Sequence, residues 1–138
     1  MASEFISNSE QESINFAKEF ATKLKPGNIV TFSGDLGSGK TFLCRQIIKE
    51  LCGQNTNVIS PTFNLLQTYE LPQFTIYHFD LYRLRDINEI YELGIEEAFA
   101  GNLCLIEWPE IIRPILPKDV LNIEIEIASE QCRRIFIN

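Results

Sequence analysis

The chain has 138 residues, of which 45% are hydrophobic, and it carries a net charge of −7 at pH 7. This length and apolar content fit one ordinary domain, which we expect to span residues 1–138, and they exclude disorder as the main state. The acidic charge, with no cluster of Lys and Arg, argues against a protein that binds nucleic acid by itself. The widely spaced cysteines, the polar N-terminus and the lack of an apolar run of ~20 residues predict a reduced, cytoplasmic protein with no membrane partner.

The first part of the chain predicts a helix, a strand and a second helix. The first helix is expected to begin at a capping box, with Ser9 as N-cap and Glu12 three residues on, and to end at the Lys-Pro-Gly sequence of residues 25–27. Residues 28–32 form a short β-branched run, which predicts a buried strand. Apolar residues at helical spacing predict the second helix over residues 41–52.

Two strands joined at residues 71–73 are predicted in the segment 63–84. In the second of them the period of two puts His78 and Asp80 on one face. A short helix is expected next, with Asp86 as its N-cap and Gly94 as its end, and residues 95–101 are expected to form one further turn.

The last third of the chain predicts three more strands. Residues 103–108, LCLIEW, form an apolar run, and residues 121–128 alternate strictly, which predicts a half-exposed strand near the edge of a sheet. A turn then leads into a final strand. Strands interleaved with helices predict an α/β fold, with a central mostly parallel sheet, flanking helices and antiparallel strands toward the C-terminus.

The sequence GDLGSGKT, residues 34–41, lies between the first predicted strand and the second predicted helix. It matches G-x-x-x-x-G-K-[ST] in the required context of strand, loop and helix, and so predicts a P-loop NTPase fold. Its glycines let successive backbone N–H groups point at phosphate oxygens, and the helix dipole adds to this. Lys40 is expected to reach the β- and γ-phosphates, and the Thr41 hydroxyl to bind Mg²⁺.

The apolar strand LCLIE ends on Glu107 and is followed by Trp108, the only tryptophan. In P-loop folds a strand near the first one ends on a carboxylate that faces Mg²⁺ and the γ-phosphate. Glu107 is expected to take that place, holding the metal directly or through a coordinated water. Trp108 remains open between a core aromatic and a residue that stacks on a base or contacts a partner beside the γ-phosphate.

Other motifs narrow the class of nucleotide-binding protein. The chain has no N-K-x-D element and no D-x-x-G after the P-loop, which disfavours GTP. The arginines between the P-loop and the predicted metal strand are not grouped as a lid, which makes a small-molecule kinase less favoured but still possible.

Five segments in order closely resemble the bacterial TsaE family, also called YjeE: GDLGSGKTF, SPTFNL, YHFDLYRL, ELGIEEAF and CLIEWPE. The resemblance covers nearly the whole chain and is weakest after Pro117. It implies an ATPase needed to make threonylcarbamoyladenosine, the modified adenosine next to the anticodon of certain tRNAs. It also implies that the partner proteins TsaD and TsaB carry out the transfer, so that this chain meets tRNA only indirectly and its ATP hydrolysis supports turnover.

The resemblance also implies roles for individual residues. The phosphates are enclosed by Leu36, Gly37, Ser38, Gly39, Lys40 and Thr41. Thr41 and Glu107 bind Mg²⁺, and the segment near Glu10 touches the nucleotide. The residues tied to catalysis are Lys40, Asp80, Glu107 and Trp108. Ser60 or Thr62 contacts the γ-phosphate region, the metal or the attacking water.

Some of these assignments have a simpler alternative. Asp80 is equally suited to capping the segment that follows it, and Ser-Pro-Thr at residues 60–62 is equally suited to a turn. His78, the only histidine, is favoured as a hydrogen-bonded structural residue over a general base. We expect an exposed P-loop, so that Lys40→Ala costs little stability, and slow hydrolysis without partners. A binding module that is gated by nucleotide but turns over little is the third class of function left open.

Overall fold

The computed structural model describes residues 2–138. Within them, one sheet is formed by β1 (Ser3–Ser7), β2 (Ile29–Gly34), β3 (Leu66–Glu70), β4 (Thr75–Asp80), β5 (Leu103–Glu107), β6 (Leu121–Ile127) and β7 (Arg133–Ile137). The connections contain α1 (Glu10–Thr22), α2 (Lys40–Cys52), α3 (Glu89–Glu92), α4 (Ile95–Ala98) and a 3₁₀ helix (Pro109–Ile115). Across residues 2–138, no helix has both the length and the apolarity that a membrane crossing requires.

The strand order is β1-β7-β6-β2-β5-β4-β3, and the four central strands β6, β2, β5 and β4 run parallel. The antiparallel pairs are β3 with β4, β6 with β7, and β1 with β7. The register aligns Glu107 with Phe32 on one side and with Asp80 on the other. Because parallel strands end at the same edge, β2, β4 and β5 bring their C-terminal side chains together. The predicted α/β fold of the P-loop class is confirmed.

Each face of the central sheet is covered by its own apolar cluster. On one face α1 and α2 contribute residues such as Phe16, Ala17 and Ile47. On the other face the short helices contribute residues such as Ile90 and Ile112. The alternation of side chains along the central strands supplies both clusters, and burial of this apolar surface is the main force that holds the helices in place.

The start of α1 follows the predicted capping box with one difference. The Glu12 backbone N–H donates to Ser9 Oγ at 3.1 Å, so Ser9 is the N-cap. The Glu12 carboxylate accepts from the backbone N–H of Asn8 at 2.9 Å, one residue before the cap. Two N–H groups at the helix entrance are therefore satisfied by side chains.

The prediction of β6 was correct in its pattern and wrong in its place. Glu124 and Glu126 are exposed while Ile123 and Ile125 are buried, so the strand is half-exposed as expected. It is not near an edge, because β7 pairs with it and β1 pairs with β7. The sequence analysis placed no strand in the polar segment that forms β1. This strand depends on pairing with the other end of the chain, which no local pattern reveals.

The predicted helix after Asp86 is also corrected. Of the helix predicted over residues 86–94 only the single turn Glu89–Glu92 forms, and after Gly94 at φ +84° the chain makes the further turn that was predicted, Ile95–Ala98. Asp86 does not cap a helix: its Oδ1 accepts from the backbone N–H of Asn88 at 2.9 Å, two residues on. This local contact of an aspartate with its own backbone competes with helix formation and delays the first turn.

Gly34→Ala is expected to destabilise the protein far more than Gly27→Ala. A Cβ on Gly34, at φ +145°, would lie 2.4 Å from the carbonyl oxygen of Ile125 and 2.8 Å from Ser38 Oγ. Gly27 also has a positive φ, but a Cβ there meets nothing within 4 Å. We expect losses of roughly 3 kcal/mol at Gly34 and about 1 kcal/mol at Gly27, measured by urea unfolding. Equal losses would show that the close approach of β6 to the loop is not maintained in solution.

Candidate functional site

The P-loop runs from the end of β2 to the start of α2. It contains the sharp backbone turns that the glycine pattern predicts, with Gly37 at φ +83° and Gly39 at φ +113°. Both values lie in the left-handed region, which residues with a Cβ adopt only with strain. Lys40 begins α2, so the N-terminal end of the helix dipole faces the loop, as anion binding requires.

A cleft of about 260 Å³ opens between the P-loop and the ends of β4 and β5. It is lined by Leu36, Gly37, Gly39, Lys40, Thr41, Phe42, Thr62, Asp80, Tyr82, Glu107 and Trp108. We call it the phosphate cleft. All four residues predicted to be tied to catalysis line it, together with both predicted metal ligands. The structure thus brings together side chains that are up to 72 positions apart, counting from Leu36 to Trp108.

Lys40 is buried in this cleft and contacts the loop itself. Its Nζ donates to the carbonyl oxygens of Gly34 at 2.6 Å and Asp35 at 2.9 Å, and only 5% of the residue is exposed. Burial lowers the pKa of Lys40, an effect opposed by nearby carboxylates, chiefly Glu107. The premise that Lys40 is exposed is therefore wrong, and we now expect Lys40→Ala to lower the stability of the fold. The ammonium joins the loop to α2, and its removal leaves two carbonyls without their donor.

Glu107 lies at the centre of a chain of hydrogen bonds. Its Oε1 accepts from the hydroxyl of Thr41 at 2.7 Å, and its Oε2 lies 2.6 Å from Nε2 of His78. The carboxylate is 1% exposed. A hydroxyl and a carboxylate in contact are the hard oxygen ligands that Mg²⁺ prefers, so Thr41 and Glu107 fit this ion. The imidazole of His78 supports the carboxylate from the buried side.

Asp80 lies beside Glu107 and fulfils the capping role that the sequence left open. Its Oδ1 accepts from the backbone N–H of Tyr82 at 3.0 Å, and its Oδ2 lies 3.5 Å from the hydroxyl of Thr62. Ser60 does not line the phosphate cleft; its hydroxyl lies 2.7 Å from that of Thr62. The loop 60–62 thus reaches the cleft through Thr62. Contact of this loop with a γ-phosphate stays a prediction.

Asp80→Asn is expected to remove a pH dependence of stability. Burial raises the pKa of Asp80 above its usual 3.8, and the charge of Glu107 adds to the effect. The folded protein therefore holds this proton more tightly than the unfolded chain does. Between the usual pKa and the raised one, the contribution of Asp80 to the free energy of unfolding falls as pH rises. Urea unfolding of both proteins from about pH 4 to pH 7 measures this slope. Identical slopes would contradict a raised pKa.

Trp108 lies at the mouth of the phosphate cleft. Its ring is half-buried, with the Nζ of Lys40 4.0 Å from the ring centroid and the ring of Tyr82 4.7 Å away. The residue has φ +56°, a turn between β5 and the 3₁₀ helix that directs the chain out of the sheet. The interpretation as a core aromatic is therefore wrong. The contact with the ammonium is a cation–π interaction within the site.

A second cleft, of about 410 Å³, lies on the other side of the P-loop. Of the predicted residues it contains Glu10 and Ser38, and it shares Gly37 and Gly39 with the phosphate cleft. We call it the second cleft. It lies between the start of α1, the loop and the turn from β6 to β7. Its position agrees with the predicted contact of the segment near Glu10 with a nucleotide, which stays a prediction.

Arg133 is a residue of this cleft that the sequence analysis missed. Its Nε donates to the carbonyl oxygen of Ser38 at 3.1 Å, and its NH1 donates to that of Ser129 at 2.9 Å. It therefore joins the P-loop to the turn between β6 and β7. Arg133 follows Ser38 by 95 positions, and no local motif around it signals the contact.

The parallel sheet, the glycine loop that leads into α2 and the converging Lys40, Thr41 and Glu107 define a protein of the P-loop NTPase class. The sequence model of the family described as "Threonylcarbamoyl adenosine biosynthesis protein TsaE" matches residues 7–135. The chain therefore belongs to the TsaE family.

Relatives from two bacteria agree with this placement. The chain is 60% identical over 131 residues to the tRNA threonylcarbamoyladenosine biosynthesis protein TsaE of Rickettsia bellii, covering 95% of this chain and 91% of the relative. It is 38% identical to the protein of the same name from Bacillus subtilis over 126 residues, covering 91% and 78%. The crystal structure of Bacillus subtilis YdiB superposes with a TM-score of 0.82 at 30% identity and covers 99% of this chain and 84% of that one.

Proposed function

We propose that this protein is the Mg²⁺-dependent ATPase subunit of the machinery that makes threonylcarbamoyladenosine in tRNA. The observation that carries the proposal is the convergence of Lys40, Thr41 and Glu107 in the phosphate cleft at the end of the parallel strands. The family and the names of its relatives supply the biological context, since both refer to the biosynthesis of this modified nucleoside.

In this proposal the nucleotide spans both clefts across the P-loop. The nucleoside lies in the cleft beside Glu10, and the phosphates lie at the loop where the two clefts share Gly37 and Gly39. The backbone of the loop and the N-terminus of α2 bind the phosphate oxygens. Lys40 neutralises the charge on the γ-phosphoryl group while this group is transferred to water. Stabilising that charge is the main catalytic requirement of such transfers. Thr41 and Glu107 would hold Mg²⁺, which would supply positive charge to neutralise the terminal phosphates.

The proposed partners are the TsaD and TsaB proteins, with tRNA bound by them and not by this chain. The net charge of −7 agrees with a protein that does not itself bind a polyanion. Large apolar side chains lie exposed near the phosphate cleft, among them Leu36 at 74%, Phe63 at 79% and Tyr82 at 57%. Such a group of exposed apolar residues is typical of a surface that contacts another protein.

Hydrolysis by the isolated protein is expected to be slow, and addition of TsaD and TsaB is expected to accelerate it. The residues that line the phosphate cleft in the described part of the chain include Lys40 but no arginine. In related phosphoryl transfers, a supplied cationic group raises the rate by about 10³–10⁵-fold. Phosphate release, measured with and without the partners, tests this expectation. Equal rates of phosphate release with and without the partners would contradict the idea that the phosphate cleft lacks a group that the partners supply.

The reaction products separate this proposal from the two alternatives. An ATPase converts ATP to ADP and inorganic phosphate in equal amounts, while a small-molecule kinase leaves phosphate on an acceptor. A nucleotide-gated binding module would bind its partners in an ATP-dependent way, and Lys40 and Glu107 variants that cannot hydrolyse ATP would keep that binding. Quantifying both products, and partner binding by these variants, decides among the three.

A further inference from the structure

His78 is a completely buried ionisable side chain near the phosphate cleft that the proposed reaction does not use. It is 0% exposed and is the only histidine of the chain. Its Nε2 lies 2.6 Å from Oε2 of Glu107, and among residues 2–138 its Nδ1 has no hydrogen-bond partner. An ionised carboxylate only accepts hydrogen bonds, so Nε2 is the donor in this pair. The imidazole thus makes a single polar contact, and that contact is with the carboxylate.

We propose that His78 is a positioning residue that fixes the Glu107 carboxylate in the orientation needed to receive the metal, an inference that rests on the proposed function. The pairing of β4 with β5 and the packing of α2 give the carboxylate two donors from two different elements. His78 holds Oε2 from β4, while Thr41 holds Oε1 from α2. With both oxygens held, the side chain cannot rotate away from the Thr41 hydroxyl.

The burial of the pair explains why this support matters. Glutamate is one methylene longer than aspartate and has one more rotatable bond, so a metal-binding glutamate has more orientations to lose. A buried hydrogen bond between a histidine and a carboxylate removes that freedom before the metal arrives. Mutation of a group that supports a metal ligand in this way typically lowers metal affinity by about 10–100-fold.

A different arrangement, a buried metal site of Cys44, His78 and Glu107, is less compatible with the chemistry. The ligand atoms of these residues lie within 4.8 Å of one another. However, burial raises the pKa of Cys44 well above its usual value, which disfavours the thiolate that binds metal. The short contact with Glu107 also engages Nε2 of His78, one of the two ring nitrogens that could bind a metal.

The test compares His78→Leu with His78→Gln, which keeps a donor on a side chain that reaches a similar distance. Ile76→Ala is the control for destabilisation, because Ile76 is buried on the same strand and lines neither cleft. Isothermal titration calorimetry measures the affinity for the non-hydrolysable ATP analogue AMP-PNP, in EDTA and over a series of Mg²⁺ concentrations. Thermal unfolding of each variant, measured in parallel, identifies any loss of folded protein.

The half-effect concentration is the Mg²⁺ concentration that gives half of the maximal change in AMP-PNP affinity. We expect His78→Leu to raise it by about 10-fold or more, while the affinity for AMP-PNP in EDTA stays within about 2-fold of wild type. His78→Gln should restore the half-effect concentration to within about 3-fold, and Ile76→Ala should leave it unchanged. If His78→Leu keeps the half-effect concentration of the wild type, or if Ile76→Ala raises it equally, the positioning role of His78 is overturned. The proposed Mg²⁺ site is not affected by either result. If Mg²⁺ does not alter the affinity of the wild type, the proposed Mg²⁺ site fails, and this inference fails with it.

Discussion

Lys40→Ala is expected to lower the rate of ATP hydrolysis by about 10²–10³-fold, the usual effect of removing one group that stabilises charge in the transition state. The ammonium belongs to the first turn of α2 and is held within the phosphate cleft by the loop carbonyls and the ring of Trp108. The measurement is phosphate release at saturating ATP.

The matched control for this variant is Lys118→Ala, because Lys118 is exposed and lines neither cleft. Lys40→Ala should also lose about 1–2 kcal/mol of unfolding free energy, since two buried contacts disappear. The folded fraction must therefore be measured at the assay temperature. Hydrolysis by folded Lys40→Ala at the rate of the Lys118→Ala control would exclude Lys40 from the chemistry.

Glu107→Gln is expected to lower hydrolysis by about 100-fold or more and to remove the response to Mg²⁺, while nucleotide binding in EDTA is retained. The substitution keeps the shape of the side chain and removes the charge that attracts the cation. It also replaces one carboxylate oxygen by an NH₂ group, which then faces the donor of either Thr41 or His78. That mismatch should cost about 1–3 kcal/mol of stability.

Glu110→Gln is the matched control, because Glu110 is an exposed carboxylate three residues further along the chain. It should keep the Mg²⁺ response and the stability of the wild type. Should Glu107→Gln hydrolyse ATP normally at low Mg²⁺, Glu107 would be a buried structural carboxylate and not a metal ligand.

Local sequence patterns predicted the parts of the site that depend on backbone conformation and on strand ends. The spacing of residues 34–41 predicted the loop, because its glycines indicate turns whose backbone conformation other residues avoid. The apolar run before Glu107 predicted a buried strand with a carboxylate at its end, and the structure places that carboxylate beside Thr41. These features are encoded within a few residues and can be read without the fold.

The contacts that were not predicted join segments far apart in the chain. Arg133 holds the carbonyl of Ser38, and β1 pairs with β7 at the opposite end of the sequence. His78 was favoured as a hydrogen-bonded residue, but its partner Glu107 follows 29 positions later and became apparent only in the register of β4 and β5. Long-range pairing of this kind is decided by tertiary packing, and single-sequence patterns do not contain it.

We propose that ATP hydrolysis by this chain supports repeated rounds of tRNA modification. The most direct measurement is threonylcarbamoyladenosine formed on tRNA over many turnovers, with TsaD, TsaB and either wild type or Lys40→Ala. ATP is present in every reaction, because the separate step that makes the threonylcarbamoyl donor requires it. We expect sustained product formation with the wild type and arrest after early turnovers with Lys40→Ala. Equal product formation by the two proteins would contradict the claim.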